Sequence, residues 1–202
     1  MFSRIGEARL TRPVDPSRTL GQGRVHRVLI AGVAFGVLKV FDLLVRGAVT
    51  VDLGVGREVR RLGPVSWDIA ASPERVFDAV RAPYVERVPR ALRGKVEVWE
   101  RGADMVLAAH RTPVGERIAV TVETVRFDRP HRIDFRLVRG PVPHVSESFT
   151  FEPISGGTRL TWEGELGTDL WWLGRRWGDR VAAVWEQAVR GSVEQVSSAC
   201  EA

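Results

Sequence analysis

Cysteine is nearly missing from this chain. Cys200 is the only one, so no internal disulfide and no cysteine metal cluster can form, a usage that suits a reducing compartment. Lysine is almost as scarce: of thirty basic residues only Lys39 and Lys95 are not arginine. We read that bias as the mark of a GC-rich genome rather than of thirty selected contacts. Also absent are a His-Glu-x-x-His pair, a P-loop, a Gly-x-Ser-x-Gly elbow and any two histidines at metal-ligand spacing. No zinc protease, phosphate-loop enzyme or serine hydrolase is therefore indicated, and neither a metal nor a cofactor is expected.

At 202 residues, 44% hydrophobic and 27% charged, the chain holds one domain of ordinary size plus an appendage. Wholesale disorder and a multi-span membrane protein are excluded. The net charge of +5 is unevenly spread: residues 1–62 carry eleven Lys+Arg against five Asp+Glu, and residues 63–202 carry nineteen against twenty. The basic excess thus lies wholly in the first third. The remainder has no surplus for a phosphate-binding face, so nucleic acid is not an expected partner.

Residues 1–27 hold six arginines among Gly, Pro and Ser without apolar periodicity, and read as a flexible basic tail. No small-residue cleavage site follows the next apolar run, so export is not expected. Residues 28–46 begin with VLIAGVAFGVLKVFDLLV, a helix whose apolar surface is broken by Lys39 and Asp42. It packs on its own domain or a partner, or it spans or re-enters a membrane, or it lies in the interface. Asp42 and Arg46 stand at i,i+4 and can pair. The placement expected is cytoplasmic, on or anchored at the inner face of the cell membrane if this run engages it. Residues 47–62 read as a linker or a short edge strand.

The main domain is expected over residues 63–202. Val65, Trp67 and Ile69 alternate with polar or small residues, the period of a half-buried strand. Ser72-Pro73 then supplies a helix cap and a first-turn proline for a helix burying Val76, Phe77 and Val80. A second short helix is read in YVERVPRAL. Six strand patterns follow, separated by turn signals such as Gly102-Ala103-Asp104 and Ser155-Gly156-Gly157. A long helical pattern closes the chain, with Leu173, Trp177, Val181, Val184 and Ala188 on one stripe, widened by Ala182, Trp185, Val189 and Val196.

This order, together with DIAASPERVFDAV at the opening, GGTRLTW at the last hairpin and the Trp-rich terminal helix, resembles the SRPBCC superfamily. These are the START-like or Bet v 1-like domains, also called polyketide cyclase/dehydrase and lipid transport proteins. The resemblance covers roughly residues 63–200 and rests on fold motifs. It implies an α+β helix-grip fold, a curved antiparallel sheet around the long C-terminal helix, with a hydrophobic cavity between them.

Antiparallel pairing around the Ser155-Gly157 turn aligns Phe151 with Leu160, Phe149 with Trp162, Glu147 with Gly164 and Val145 with Leu166. Glu147 is then a lone carboxylate in an apolar row, a candidate acid/base or ligand-bonding group, or alternatively a strand-end residue paired with an arginine. His110 and His144 are the other candidates. Strict alternation places both opposite the apolar registers Met105-Leu107-Ala109 and Val145-Glu147-Phe149, which points them at solvent unless a bulge intervenes. The expected cavity wall comprises Trp67, Met105, Phe135, Glu147, Phe149, Trp162, Trp177, Val181 and Trp185. Three functions fit. One is a carrier for a hydrophobic small molecule such as a lipid, isoprenoid or polyketide, steered to an anionic membrane by residues 1–46. Another is a cyclase or aromatase using Glu147 with a histidine. The last is an interaction or stress protein with a vestigial pocket.

Overall fold

Seven strands account for most of the chain's regular structure, because alternating residues from Glu58 to Thr168 bury one face of a single sheet. The computed structural model describes residues Gly32, Phe35, Gly36, 38–47, 49–86 and 94–201. Contacts divide the chain into two units, residues 1–40 and 41–202. The described residues of the first are helical, with Phe35, Leu38 and Val40 exposed. No helix among the described residues is long and apolar enough to cross a membrane. The reading of 1–27 as a flexible tail lies outside the described residues.

The second unit opens with a helical turn, α1, over residues 41–45. Val45 is buried there, Phe41 meets Trp177 edge-on at 5.7 Å, and Asp42 accepts from Arg46 at 3.0 Å in the expected i,i+4 pair. The sheet strands are β1 (Glu58–Ile69), β2 (Val96–Arg101), β3 (Met105–Val114), β4 (Arg117–Asp128), β5 (Arg132–Arg139), β6 (His144–Ile154) and β7 (Gly157–Thr168). Helix α2 (Pro73–Arg81) and a 3₁₀ turn (Ala82–Tyr84) lie between β1 and β2, and α3 (Trp171–Glu201) closes the chain. The strand order is β1-β7-β6-β5-β4-β3-β2, antiparallel at every pairing. This is the helix-grip arrangement. Strand β1 is an edge strand that starts within the segment read as a linker or a short edge strand; Leu62 is buried opposite Gly164 and the register resumes at Val65 after a bulge. Most of the second short helix read from YVERVPRAL lies outside the described residues.

Local chemistry explains the helix at the sheet's edge. Ser72 caps α2, its hydroxyl accepting from the Arg75 N–H, and Pro73 occupies the first turn. Val76 and Phe77 are then fully buried, Phe77 against Phe151 at 5.3 Å. Helix α3 needs a correction. Its buried face is Gly174, Gly178, Val181, Ala182, Val189 and Val193, with Trp177, Trp185 and Val196 partly covered. Leu173 and Val184, expected inside, are exposed. Counting apolar side chains missed the two glycines. They bring the α3 backbone onto Thr168 and Asp169, where a Cβ at Gly174 would lie 1.7 Å from the Asp169 carbonyl, and so rotate the helix away from its bulkiest apolar residues.

Candidate functional site

The inner face of the sheet is polar at its centre. Successive strands contribute Val106, Ala108 and His110 from β3, Thr121, Glu123 and Val125 from β4, and Ile133 and Phe135 from β5. Val145, Glu147 and Phe149 come from β6, and Leu160, Trp162 and Leu166 from β7. Two carboxylates, an imidazole and the chain's only tyrosine therefore lie within a core of aliphatic residues and the rings of Phe135, Phe149 and Trp162.

The side chains form two hydrogen-bonded groups. In the first, Tyr84 Oη lies 2.9 Å from His110 Nε2, and His110 Nδ1 lies 2.9 Å from Glu123 Oε2. Thr121 Oγ1 donates to the other Glu123 oxygen at 2.6 Å. Burial opposes charge on His110, but the charge of Glu123 and its hydrogen bond, with a smaller contribution from Glu147, outweigh it and raise the imidazole's pKa above its ordinary value. Burial likewise opposes ionisation of Glu123, and the facing imidazole and the Thr121 donor bring it below the usual carboxylate range. The pair is thus an imidazolium and a carboxylate, each holding the other charged. With both ring nitrogens donating, the Tyr84 oxygen accepts from Nε2 and its own proton is left to donate elsewhere.

In the second group, Trp162 Nε1 and Trp185 Nε1 each donate to Glu147 Oε2 at 2.8 Å. Burial first, then the negative charge of Glu123, push Glu147 up to about 7, against the pull of the two indoles and His110. Glu147 faces Gly164 across β6 and β7, and a Cβ at that glycine would come within 2.7 Å of the Glu147 Cβ. Glycine there is what lets a carboxylate turn inward between two indoles.

Three expectations change. His110 was read as facing solvent, but it points inward beside Glu123. Met105 was read as a wall of the cavity between sheet and α3, but it is 44% exposed on the opposite register from Val106 and Ala108 and borders instead a cavity beside Tyr84. On the inner register the rings of His110, Tyr84 and Phe135 pack with centroids 5.7 to 6.4 Å apart, beside the small Ala108 and Val106 of β3. Glu147 accepts from two indoles rather than pairing with an arginine. His144 stands at the start of β6, its Nε2 2.9 Å from Glu165 Oε1, partly exposed and away from this space.

The remaining wall candidates divide by burial. Trp162 and Val181 are buried, Phe149 packs on Phe135 at 5.8 Å, and Trp67 is half-buried against the core. Trp177 is half-buried too, its indole donating to the Pro141 carbonyl at 2.7 Å. Tyr84, Thr121 and Glu123 were not singled out from the sequence. Strand β4 reads apolar on both registers, so its alternation does not reveal Glu123. The lone tyrosine after Ala82-Pro83 was the one available signal.

Tyr84 also lines a cavity of about 300 Å³ with Arg81, Arg101, Met105, Val106 and Phe127. Arg81 lies over the Phe127 ring at 5.3 Å, and Arg101 donates to the Tyr84 carbonyl. The cavity therefore meets the outer member of the Tyr84-His110-Glu123 chain. No cluster of His, Cys, Asp and Glu suited to a metal ion occurs among the described residues.

A family model described as polyketide cyclase / dehydrase and lipid transport matches residues 64–201. The chain belongs to this family. Among solved structures, it is similar to the Zhui aromatase/cyclase from a Streptomyces species, at 18% identity and TM-score 0.59 over 71% of this chain and 94% of that one. It is also similar to the di-domain ARO/CYC BexL from the BE-7585A biosynthetic pathway, at 17% identity and TM-score 0.58, covering 73% of this chain and 51% of that chain. The chain thus spans about half the length of that di-domain protein. Ara h 8.0201 is similar at 14% identity and TM-score 0.55, over 72% of this chain and 98% of that chain. At such identities the likeness is one of fold. Among curated protein sequences none matches. Membership of this family supports a hydrophobic ligand-binding or polyketide cyclase-type protein without fixing which.

Proposed function

We propose that this chain binds a hydrophobic, ketone-bearing ligand against the aromatic inner face and performs acid/base chemistry on it, of the ring-closing and dehydrating type. The observation that carries this reading is the buried hydrogen-bonded chain Tyr84-His110-Glu123, whose outer residue, Tyr84, borders a cavity. Glu123 positions His110 and keeps it protonated, and His110 supplies a proton through the Tyr84 hydroxyl to a ligand oxygen. Glu147, whose pKa stands near neutrality, has the affinity to take a proton from a carbon next to a carbonyl. A carbon–carbon bond closes the ring as the carbonyl oxygen is protonated to a hydroxyl. Loss of that hydroxyl with a second proton releases one water. The aromatic wall for such a ligand is Phe135, Phe149, Trp162 and Trp185.

A carrier without turnover is the second reading, favoured by the double indole clamp on Glu147, which suits a fixed binding group as well as a base. In either reading, the basic, apolar residues 1–46 supply a contact for an anionic membrane, supported by the charge split of the sequence. Native mass spectrometry of the full-length protein with organic extraction identifies the ligand class, and incubation with a poly-β-keto thioester analogue tests turnover. We expect His110→Gln to keep the ligand while lowering ring closure by about a hundredfold or more. Release of the bound ligand unchanged by the wild type, with no product, makes the chain a carrier.

A further inference from the structure

At the start of α3 the protein holds large apolar side chains out in solvent by a strained backbone. Leu170 and Trp171 have φ of 71° and 48°, the left-handed region that residues with a Cβ rarely occupy. They are kept there by the segment preceding β1. The Leu170 N–H donates to the Val55 carbonyl at 2.8 Å and the Trp171 N–H to the Gly56 carbonyl at 2.9 Å. Asp169, itself buried, accepts from the Leu53 and Gly54 N–H groups at 2.6 and 2.9 Å and from Arg57 at 2.8 Å. The Trp171 ring lies over Gly56, where a Cβ would meet it at 2.3 Å.

The result is a contiguous apolar end. Trp171, Trp172 and Leu173 are 57%, 60% and 54% exposed, and Leu53 and Val55, tied to them by these bonds, are 54% and 49% exposed. Patches of this kind mark interaction surfaces. Helical spacing sets Trp172, Arg176 and Arg180 in line, with Leu173 beside them, on the side of α3 opposite the buried Gly174, Gly178 and Val181. Arg176 lies over the Trp172 ring at 5.7 Å. Asp179 at the margin is taken by Arg60 at 2.8 Å, while Arg176 and Arg180 have no carboxylate partner among the described residues.

We propose that this end of the domain docks on an anionic lipid bilayer, with Trp171, Trp172 and Leu173 entering the headgroup region and Arg176 and Arg180 meeting lipid phosphates. Exposed indoles favour the membrane interface, arginines reach from it to phosphate, and the uncompensated positive charge complements an anionic surface. A bilayer also asks for no shape match, which suits a convex helix start rather than a groove. The inference concerns a different surface from residues 1–46 and does not rest on the acid/base reading.

The test is co-sedimentation of the full-length protein with vesicles of phosphatidylcholine alone and of phosphatidylcholine mixed with phosphatidylglycerol. The wild type is expected to bind the anionic vesicles more tightly. Trp172→Ser with Leu173→Ser should weaken that binding by about tenfold or more, and Arg176→Glu by about fivefold. Trp99→Ser, at an exposed tryptophan on β2, should leave it unchanged. Unaltered thermal melting of the variants assigns the loss to the surface. Four results overturn the proposal: no binding by the wild type, equal loss in Trp99→Ser, and loss confined to Phe35→Ser with Leu38→Ser, which assigns binding to the N-terminal run alone. The fourth is a lipid-free dimer that the Trp172 and Leu173 changes dissociate, which makes the occupant a second copy.

Discussion

Glu123 and Glu147 stand on the same face of the same sheet, with 4% and 7% of their surface exposed, yet their electrostatics run in opposite directions. Burial penalises ionisation of both. Glu123 faces an imidazole that shares the burial and becomes its counter-ion, so its pKa falls. Glu147 is bonded by two neutral indoles and sees Glu123 as a like charge, so its pKa rises to about 7. Hydrogen bonds from neutral donors soften the desolvation of a carboxylate, and an adjacent cation reverses it. One site thus holds an ionised acid locked in a pair and another poised to exchange a proton near neutrality, the separation of roles that acid/base chemistry needs.

The comparison is broken most severely by His110→Ala. That change leaves Glu123 as a buried carboxylate without its cation, a loss on the order of 3–5 kcal/mol, and urea denaturation at neutral pH measures it. The deficit should shrink in acid, where Glu123 takes up a proton. The sign follows from the shifts. The raised pKa of His110 contributes stability fully present below 6.5 and lost as pH rises through the folded value. The lowered pKa of Glu123 contributes stability present above 4.5 and lost as pH falls through its folded value. The wild-type pair is therefore most effective between these limits.

Glu147 has the opposite slope. Its folded state holds a proton that the unfolded chain releases, so stability declines as pH rises from 4.5 to about 7 and then levels off. Glu147→Gln should remove a pH-dependent component on the order of 3 kcal/mol over that window, read from denaturation midpoints across the pH series. A wild-type profile flat over the same range would contradict the contrast drawn between the two acids. The smallest effect sharpens the comparison from outside the sheet. Arg159 and Asp68 form a bidentate pair at 2.9 and 3.0 Å, both exposed, and Arg159→Ala should leave the thermal midpoint within error of wild type, because solvent screens what burial magnifies.

How much of this was legible depended on which strand is asked. Around the Ser155-Gly157 turn, β6 and β7 each show one clearly apolar register, and their pairing places Glu147 opposite Gly164. Strands β3 and β4 show two. Met105-Leu107-Ala109 is the more apolar register of β3, and Ile118-Val120-Val122 looks no less suited to a core than Thr121-Glu123-Val125. The folded sheet buries the registers carrying His110 and Glu123. The polar groups are acceptable there because each completes the other's hydrogen bonding, a pairing that alternation along one strand cannot reveal. Helix α3 was misread by the same limit, since Leu173 counted as core until Gly174 and Gly178 set the line of closest approach.

The helix-grip architecture was implied by the family resemblance. Turn residues, capping at Ser72-Pro73, period-two runs and the terminal helical pattern determined the order of elements and the α+β class, and composition the concentration of basic charge in the first third. These are properties of local backbone preference and composition, which each segment carries by itself. Tertiary structure decided which face of β3, β4 and α3 turns inward. It also brought Tyr84 from the 3₁₀ turn to His110, and left Trp171 and Trp172 outside on a strained helix start. Those outcomes depend on volumes and hydrogen-bond partners supplied by distant segments, so no single stretch of the chain contains them.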